Sequence, residues 1–266
     1  MSFEEIKQTV SNDPETKNLQ LSVRDTYVVY QYILQRDEKV LKDFVPKLIL
    51  EPYVHISYIP TVEKQKQLET SVLKRHLETF ESEIYIADAN LEDFIISDAY
   101  QEKAVQYAKK FLEKPLKFQK GLYLYGPYGA GKSYLLSGLA NELTKQRVNV
   151  VYVFMPDLIR TLKANIGSDQ LEKKINILKR CDVLILDDLG GENVSSWFRD
   201  EILLPILHYR LNASLSVHIS SNSSIAQLAK SMLTDKETDI IKVTRIIKRI
   251  EDLTKPFKFE KTFTND

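Results

Sequence analysis

Apolar residues recur along this chain in two rhythms, and the rhythm changes near residue 98. In the first third they fall at helical spacing. Val23–Leu41 places Tyr27, Tyr30, Ile33 and Leu34 on one helix face. Pro46 is expected to break that pattern. Val54, Ile56 and Tyr58 then alternate around a turn at Glu51-Pro52, so residues 47–59 read as a hairpin, closed by Pro60. Residues 62–80 carry the pattern of a charged helix. From Asp98 onward, short continuous apolar runs alternate with helical stretches. Gly121–Tyr125, Val148–Phe154, Val183–Leu186 and Leu215–Ser220 read as strands, with Phe257–Phe259 as a last one. Helices are expected over Asp98–Leu112, Lys132–Lys145, 156–180 (as one or two), 195–211 and most of 224–253. Continuous apolar strands separated by helices imply an α/β fold, a parallel sheet covered on both faces.

A chain of 266 residues suits one large or two smaller domains. Residues 81–100 hold six acidic side chains and no Lys or Arg. That change of character is expected to mark an acidic linker, 81–97. It would separate a small, mainly helical N-terminal domain with a hairpin (1–80) from the α/β domain (98–266). Lys plus Arg equals Asp plus Glu at 37 each, so net charge points to no nucleic-acid partner and only local distribution can. The single cysteine, Cys181, excludes a disulfide framework and a cysteine-rich zinc site. His55, His76, His208 and His218 lack a ligand spacing, so no zinc is expected. No apolar run approaches the roughly 18 residues of a membrane span. The N-terminus lacks the plan of a signal peptide. The expectation is a cytoplasmic protein without a membrane partner.

The chemistry concentrates after the first strand of the α/β domain. Gly126-Pro127-Tyr128-Gly129-Ala130-Gly131-Lys132-Ser133 is a complete phosphate-binding loop between a strand and a helix, with Tyr134 next in line. Its glycines allow backbone amides to turn inward around phosphate. Lys132 is expected on the β- and γ-phosphates of ATP, and Ser133 on Mg²⁺. The helix that follows adds its positive N-terminal end. A buried strand then delivers Asp187 and Asp188 at its C-terminal end, where ligands bind in open α/β sheets. Asp187 would hold Mg²⁺ and Asp188 would orient or deprotonate the attacking water; the alternative is a pair that only caps a loop. Asn222 would either contact the γ-phosphate or cap the helix starting at Ser224. Arg245 and Arg249 lie one turn apart on a helix, as an arginine finger or a solvated basic face. In 156–180, Arg160, Lys163, Lys173, Lys174, Lys179 and Arg180 outnumber Asp157, Asp169 and Glu172. Such a face could follow a DNA backbone or merely meet solvent.

Four segments together resemble a known family: residues 121–136, residues 184–192, the Ser-Ser-Trp-Phe-Arg-Asp-Glu-Ile-Leu of 195–203, and Ile-Ser-Ser-Asn at 219–222. They are similar to the DnaI-type bacterial helicase loaders, AAA+ ATPases of the branch shared with DnaC and DnaA. The resemblance covers roughly residues 90–260. It implies an AAA+ core with a five-stranded parallel sheet, and a load of hexameric replicative helicase placed on single-stranded DNA with ATP and Mg²⁺. It also implies self-association through AAA+ domains, and an N-terminal domain that binds helicase. Lys132 and Ser133 match its Walker A pair, Asp187 and Asp188 its Walker B, Asn222 its sensor 1, and Arg245 the finger, with Arg249 a second γ-phosphate contact or a rival. The basic helices match the DNA-facing helical motif of the branch. Many members hold the N-terminal domain with a cysteine-rich zinc site, which this chain lacks. About 44 residues follow Asn222, too few for a full helical lid. The related IstB-type transposition ATPases are the alternative.

Overall fold

The computed structural model describes residues 2–38, 41–82, 84–191, 195–233 and 237–260. The chain divides into two compact units, Met1–Leu68 and Glu69–Asp266.

In the first unit, helices α1 (Phe3–Asn12) and α2 (Val23–Asp37) meet an antiparallel hairpin, β1 (Phe44–Ile49) and β2 (His55–Pro60). Ser2 and Glu5 close a capping box on α1, and the Ser22 hydroxyl caps α2. Val10, Val29, Tyr32 and Ile33 form a small core, with Leu48, Val54 and Ile56 of the hairpin region packed against it. Arg36 ties α2 to the turn after α1, at 2.5 Å from Asp13 and 3.1 Å from Glu15, whose carboxylate also accepts from the Tyr32 hydroxyl at 2.7 Å. The Arg36 guanidinium holds the Asp13 carboxyl below its usual range, over the opposing effect of burial. This partly exposed charge cluster adds to the apolar core in joining the two helices. The helical pattern stops at Asp37, before Pro46, which sits inside β1 opposite Tyr58, so the hairpin starts earlier than residue 47. A two-stranded ribbon has a free edge on each strand, so a residue without an N–H is tolerated there.

The second unit is an α/β layer structure. Helix α3 (Val62–Phe80) leads in from the first unit, and α4 (Ala99–Phe111), capped by the Asp98 carboxylate, precedes the sheet. The strands are β3 (Gly121–Tyr125), β4 (Val150–Phe154), β5 (Val183–Asp187), β6 (Ser216–Ser221) and β7 (Thr254–Lys258). Their order is β4-β5-β6-β3-β7, and every pairing is parallel. Between them run α5 (Lys132–Lys145), α6 (Met155–Ala164), α7 (Asp169–Arg180), a π-helical stretch over Phe198–Leu203 continued by α8 (Leu204–Asn212), α9 (Ile225–Ser231) and α10 (Glu237–Leu253). Separate apolar cores cover the two sheet faces. This is the five-stranded AAA+ arrangement. After β6 the described residues form two helices and return to the sheet edge as β7.

Residues 81–97 are not a free linker. Ala89, Leu91 and Phe94 are buried, and Asn141 of α5 donates to the carbonyls of Ala87 and Ala89. The acidic side chains disguise three core positions, with Glu83 outside the described residues. Two buried arginines add polar ties. Arg199 in the π-helical stretch reaches Asp200 (2.6 Å), Asp239 (2.8 Å) and the Met232 carbonyl (2.8 Å). Arg210 donates to the carbonyls of Leu178, Cys181, Asp182 and Ser216, joining the end of α7 to the starts of β5 and β6.

Candidate nucleotide site

The parallel sheet brings three C-terminal strand ends together, because neighbouring parallel strands end on the same side. β3 runs into the Gly-rich loop, β5 ends at Asp187, and β6 ends one residue before Asn222. β6 lies between the other two, so Asn222 faces both.

Loop geometry depends on glycine at its first position. Gly126 has φ +148°, and a Cβ there would stand 2.0 Å from the Phe259 carbonyl oxygen. Gly131, at φ +86°, is the residue from which α5 departs. Ala130 is buried beneath the loop, whereas Tyr128 projects from its tip, 89% exposed.

Lys132 is 7% exposed and its ammonium donates to three oxygens: the carbonyls of Gly126 (2.9 Å) and Pro127 (2.7 Å) and the side chain of Asn222 (2.9 Å). Burial lowers its pKa, and the charges of Asp188 and Asp187 oppose that shift. Asn222 passes the contact on, its amide donating to the Asp188 carboxylate at 2.9 Å. Ser224, not Asn222, caps α9, through a capping box with Gln227. Asp188 takes a left-handed backbone, φ +62°, and its amide donates to the Ser220 hydroxyl at 2.9 Å. That conformation turns the second carboxylate out of the strand toward Asn222. A Cβ on Gly191, four residues past the end of β5, would stand 2.3 Å from the Asp188 carboxylate and would push that side chain aside.

Asp187 is fully buried. One of its oxygens accepts from Tyr152 at 2.5 Å, and the other from Ser133 at 3.1 Å and from Ser220. Burial and the Asp187 charge push the Tyr152 phenol well above its ordinary pKa, so it stays protonated and donates to that carboxylate. A hydroxyl and a carboxylate that share one point in space are a fitting oxygen pair for Mg²⁺. Tyr152 and Ser220 supply outer hydrogen bonds that fix the carboxylate.

A cleft of about 280 Å³ beside Gly131 is lined by Asp93, Phe94, Ile95 and Tyr134. Its apolar walls suit the base of a nucleotide whose phosphates lie on the loop. Tyr134 follows the loop in sequence, whereas Phe94 and Ile95 come from the apolar Phe-Ile-Ile run inside the acidic stretch. Tyr152 and Ser220 were missed as well, because nothing in strand periodicity says which inward residue meets a carboxylate.

The remaining expected residues lie apart. Arg245 is exposed on α10, and Arg249 is half-buried, 4.0 Å from Asp252. Neither donates to the Lys132–Asn222–Asp188 chain. Of the basic helices, Lys174 donates to the Thr79 carbonyl and sits 5.4 Å over the Phe80 ring, and Arg160 pairs with Glu81 and Asp157. Lys163, Lys173 and Arg180 stay exposed.

Comparison with known proteins agrees with this architecture. A family profile for IstB-like ATP binding proteins matches residues 64–254. The replicative helicase loader DnaI of Bacillus subtilis (strain 168) is 27% identical over 276 aligned residues, which span 98% of this chain and 89% of that protein. A crystal structure of DnaI superposes with a TM-score of 0.61 at 39% identity, over 65% of this chain and 91% of that one. The DnaC helicase loader superposes at 0.53 with 26% identity, over 67% and 99%. With its phosphate loop, paired aspartates and asparagine assembled on such a sheet, the chain belongs to the family of IstB-like ATP binding proteins and resembles its DnaI-type relatives along nearly its whole length.

Proposed function

We propose that this protein is an ATP-dependent loader of the replicative DNA helicase onto single-stranded DNA, acting in the cytoplasm at replication initiation or restart. One observation carries the reading: similarity to DnaI of Bacillus subtilis runs through 98% of the chain, so it includes the N-terminal unit as well as the ATP-binding unit. An IstB-type transposition ATPase is the other reading, and the family profile is shared with it. The profile begins only at residue 64, however, and leaves the N-terminal unit unexplained.

In this reading residues 1–80 bind the hexameric helicase, using the Asp13–Arg36 cluster where other members use zinc. Backbone amides of 126–133 hold the phosphates of ATP, and Ser133 with Asp187 holds Mg²⁺, which neutralises charge on the phosphates. Asp188 orients or deprotonates the attacking water. Asn222 ties Asp188 to Lys132, so that the state of the γ-phosphate reaches both. Arg245, exposed on α10, reaches a neighbouring copy's nucleotide, with Arg249 behind it. Lys163, Lys173 and Arg180 follow the DNA backbone. Hydrolysis then weakens the assembly and releases the loader.

The test is co-purification of the full chain with the hexameric replicative helicase of the same organism, with ATP and without nucleotide. Complex formation is the expected result. Failure in both conditions, together with ATP-dependent assembly on duplex DNA, would establish the transposition reading instead.

A further inference from the structure

A second surface of the ATP-binding unit has a chemistry that the nucleotide site does not use. On α4, Tyr100, Lys103, Tyr107 and Lys110 recur at intervals of three and four residues, so they share one face. That face runs for about 15 Å at the helical rise. It borders β7, the edge strand, which contributes Lys255 and Phe257. Between them lies a groove of about 540 Å³; among the described residues no Asp or Glu lines it, and Lys258, which also lines it, pairs with Glu260 at 2.8 Å.

Rings and ammonium groups alternate along this groove. Tyr100 is 47% exposed. Lys103 stands 5.9 Å from its ring centroid. Lys255 lies 5.1 Å over the Tyr107 ring and 5.6 Å over Phe257, and these two rings are 5.2 Å apart. The Tyr107 hydroxyl donates to the Lys120 carbonyl at 2.8 Å, which fixes its ring in place. In a chain whose charges balance at 37 against 37, a groove whose described lining holds lysines and no carboxylate is a local excess. An amphipathic protein segment would call for aliphatic walls. Ordered aromatic faces spaced by cations match a strand that offers bases and phosphates alternately.

We propose that the groove between α4 and β7 is a binding track for single-stranded nucleic acid, with bases stacked on Tyr100 and on the Tyr107–Phe257 pair and phosphates on Lys103, Lys110 and Lys255. The track is distinct from the basic helices α6 and α7 and does not depend on the helicase reading. Tyr125, the residue before Gly126 of the phosphate loop, also lines the groove.

The test is fluorescence anisotropy of the full chain with labelled oligothymidylate of about 16 nucleotides, the upper size of a single-strand site. Tyr100→Ala is expected to weaken binding about tenfold, the scale of one lost base stack, with Tyr100→Trp restoring it. Lys103→Glu with Lys110→Glu is expected to reduce the slope of log affinity against log salt by about 1.4, two phosphate contacts on a single strand. ATP turnover without DNA should stay at the parent rate in all three variants, which reports that they fold. Lys173→Glu with Arg180→Glu, on α7, is the comparison. If affinity falls only in the α7 variant and stays within twofold of the parent in all groove variants, the track is refuted. If the groove variants keep full affinity but lose self-association, the groove is a contact between copies and the proposal is likewise overturned.

Discussion

The Lys132 ammonium and the Asn222 side chain, 90 residues apart in sequence, meet at 2.9 Å. Asn222 in turn donates to Asp188 at the same distance, so one asparagine connects the phosphate lysine to the second aspartate of β5.

Asn222→Ala should therefore cut ATP turnover about a hundredfold, the scale for losing one preorganised polar contact at a developing charge. Nucleotide affinity should change little, because the loop amides are untouched. Lys132→Ala should lose nucleotide binding itself. Steady-state turnover and titration with a fluorescent ATP analogue separate the two. Equal loss of affinity in both variants would contradict that connection.

Tyr152→Phe should raise the Mg²⁺ concentration needed for half-maximal turnover about tenfold, as expected when an outer hydrogen bond is removed from the carboxylate proposed to hold the ion. Turnover at saturating Mg²⁺ should recover most of the parent rate. A variant unaffected at every Mg²⁺ concentration would show that Tyr152 does not position Asp187.

His218 gives a pH prediction. It is fully buried against Phe111, and Leu122 donates its backbone N–H to Nδ1 at 3.0 Å. Burial, with the charge of Arg210 adding to it, pushes the imidazole pKa down to about 3. The unfolded value is about 6.5. A base that is harder to protonate when folded takes up its proton on unfolding. Its contribution to stability is thus complete above about pH 6.5 and declines as pH falls toward about 3. Thermal melts across this range should show that decline, and His218→Asn should flatten it. Parallel curves for the two proteins would assign the acid sensitivity elsewhere.

Arg199→Ala should cost about 3–5 kcal/mol in urea unfolding, because it removes a buried cation from the buried Asp239 carboxylate, whereas Asp200 keeps Lys242 at 2.7 Å. Arg199→Lys should recover part of this, since an ammonium cannot serve both carboxylates and the Met232 carbonyl together.

Arg245→Ala should remove any rise in turnover per subunit with protein concentration, while the dilute rate stays unchanged. Lowered turnover at every concentration would place Arg245 in its own subunit's site instead.

The sequence by itself determined the sheet and the loop. Gly126–Ser133 is a local motif: its glycines, lysine and serine act through a backbone that short-range sterics dictate. The strands could be read because burial on both faces leaves continuous apolar runs, as in Val183–Leu186. Asp187, Asp188 and Asn222 were legible because parallel strands must all end on one side. Tertiary structure alone decided the rest. It buried Leu91 and Phe94 of an acidic stretch in the core, since a few apolar positions outweigh the solvated carboxylates around them. It made Ser224 the cap of α9, and so left Asn222 to join Lys132 and Asp188. It set Tyr152 and Ser220 on Asp187, and it placed the α4 face beside Lys255 and Phe257 of β7. Such pairings join residues that are far apart in the chain, and their partners are fixed by how helices and strands pack rather than by any local spacing.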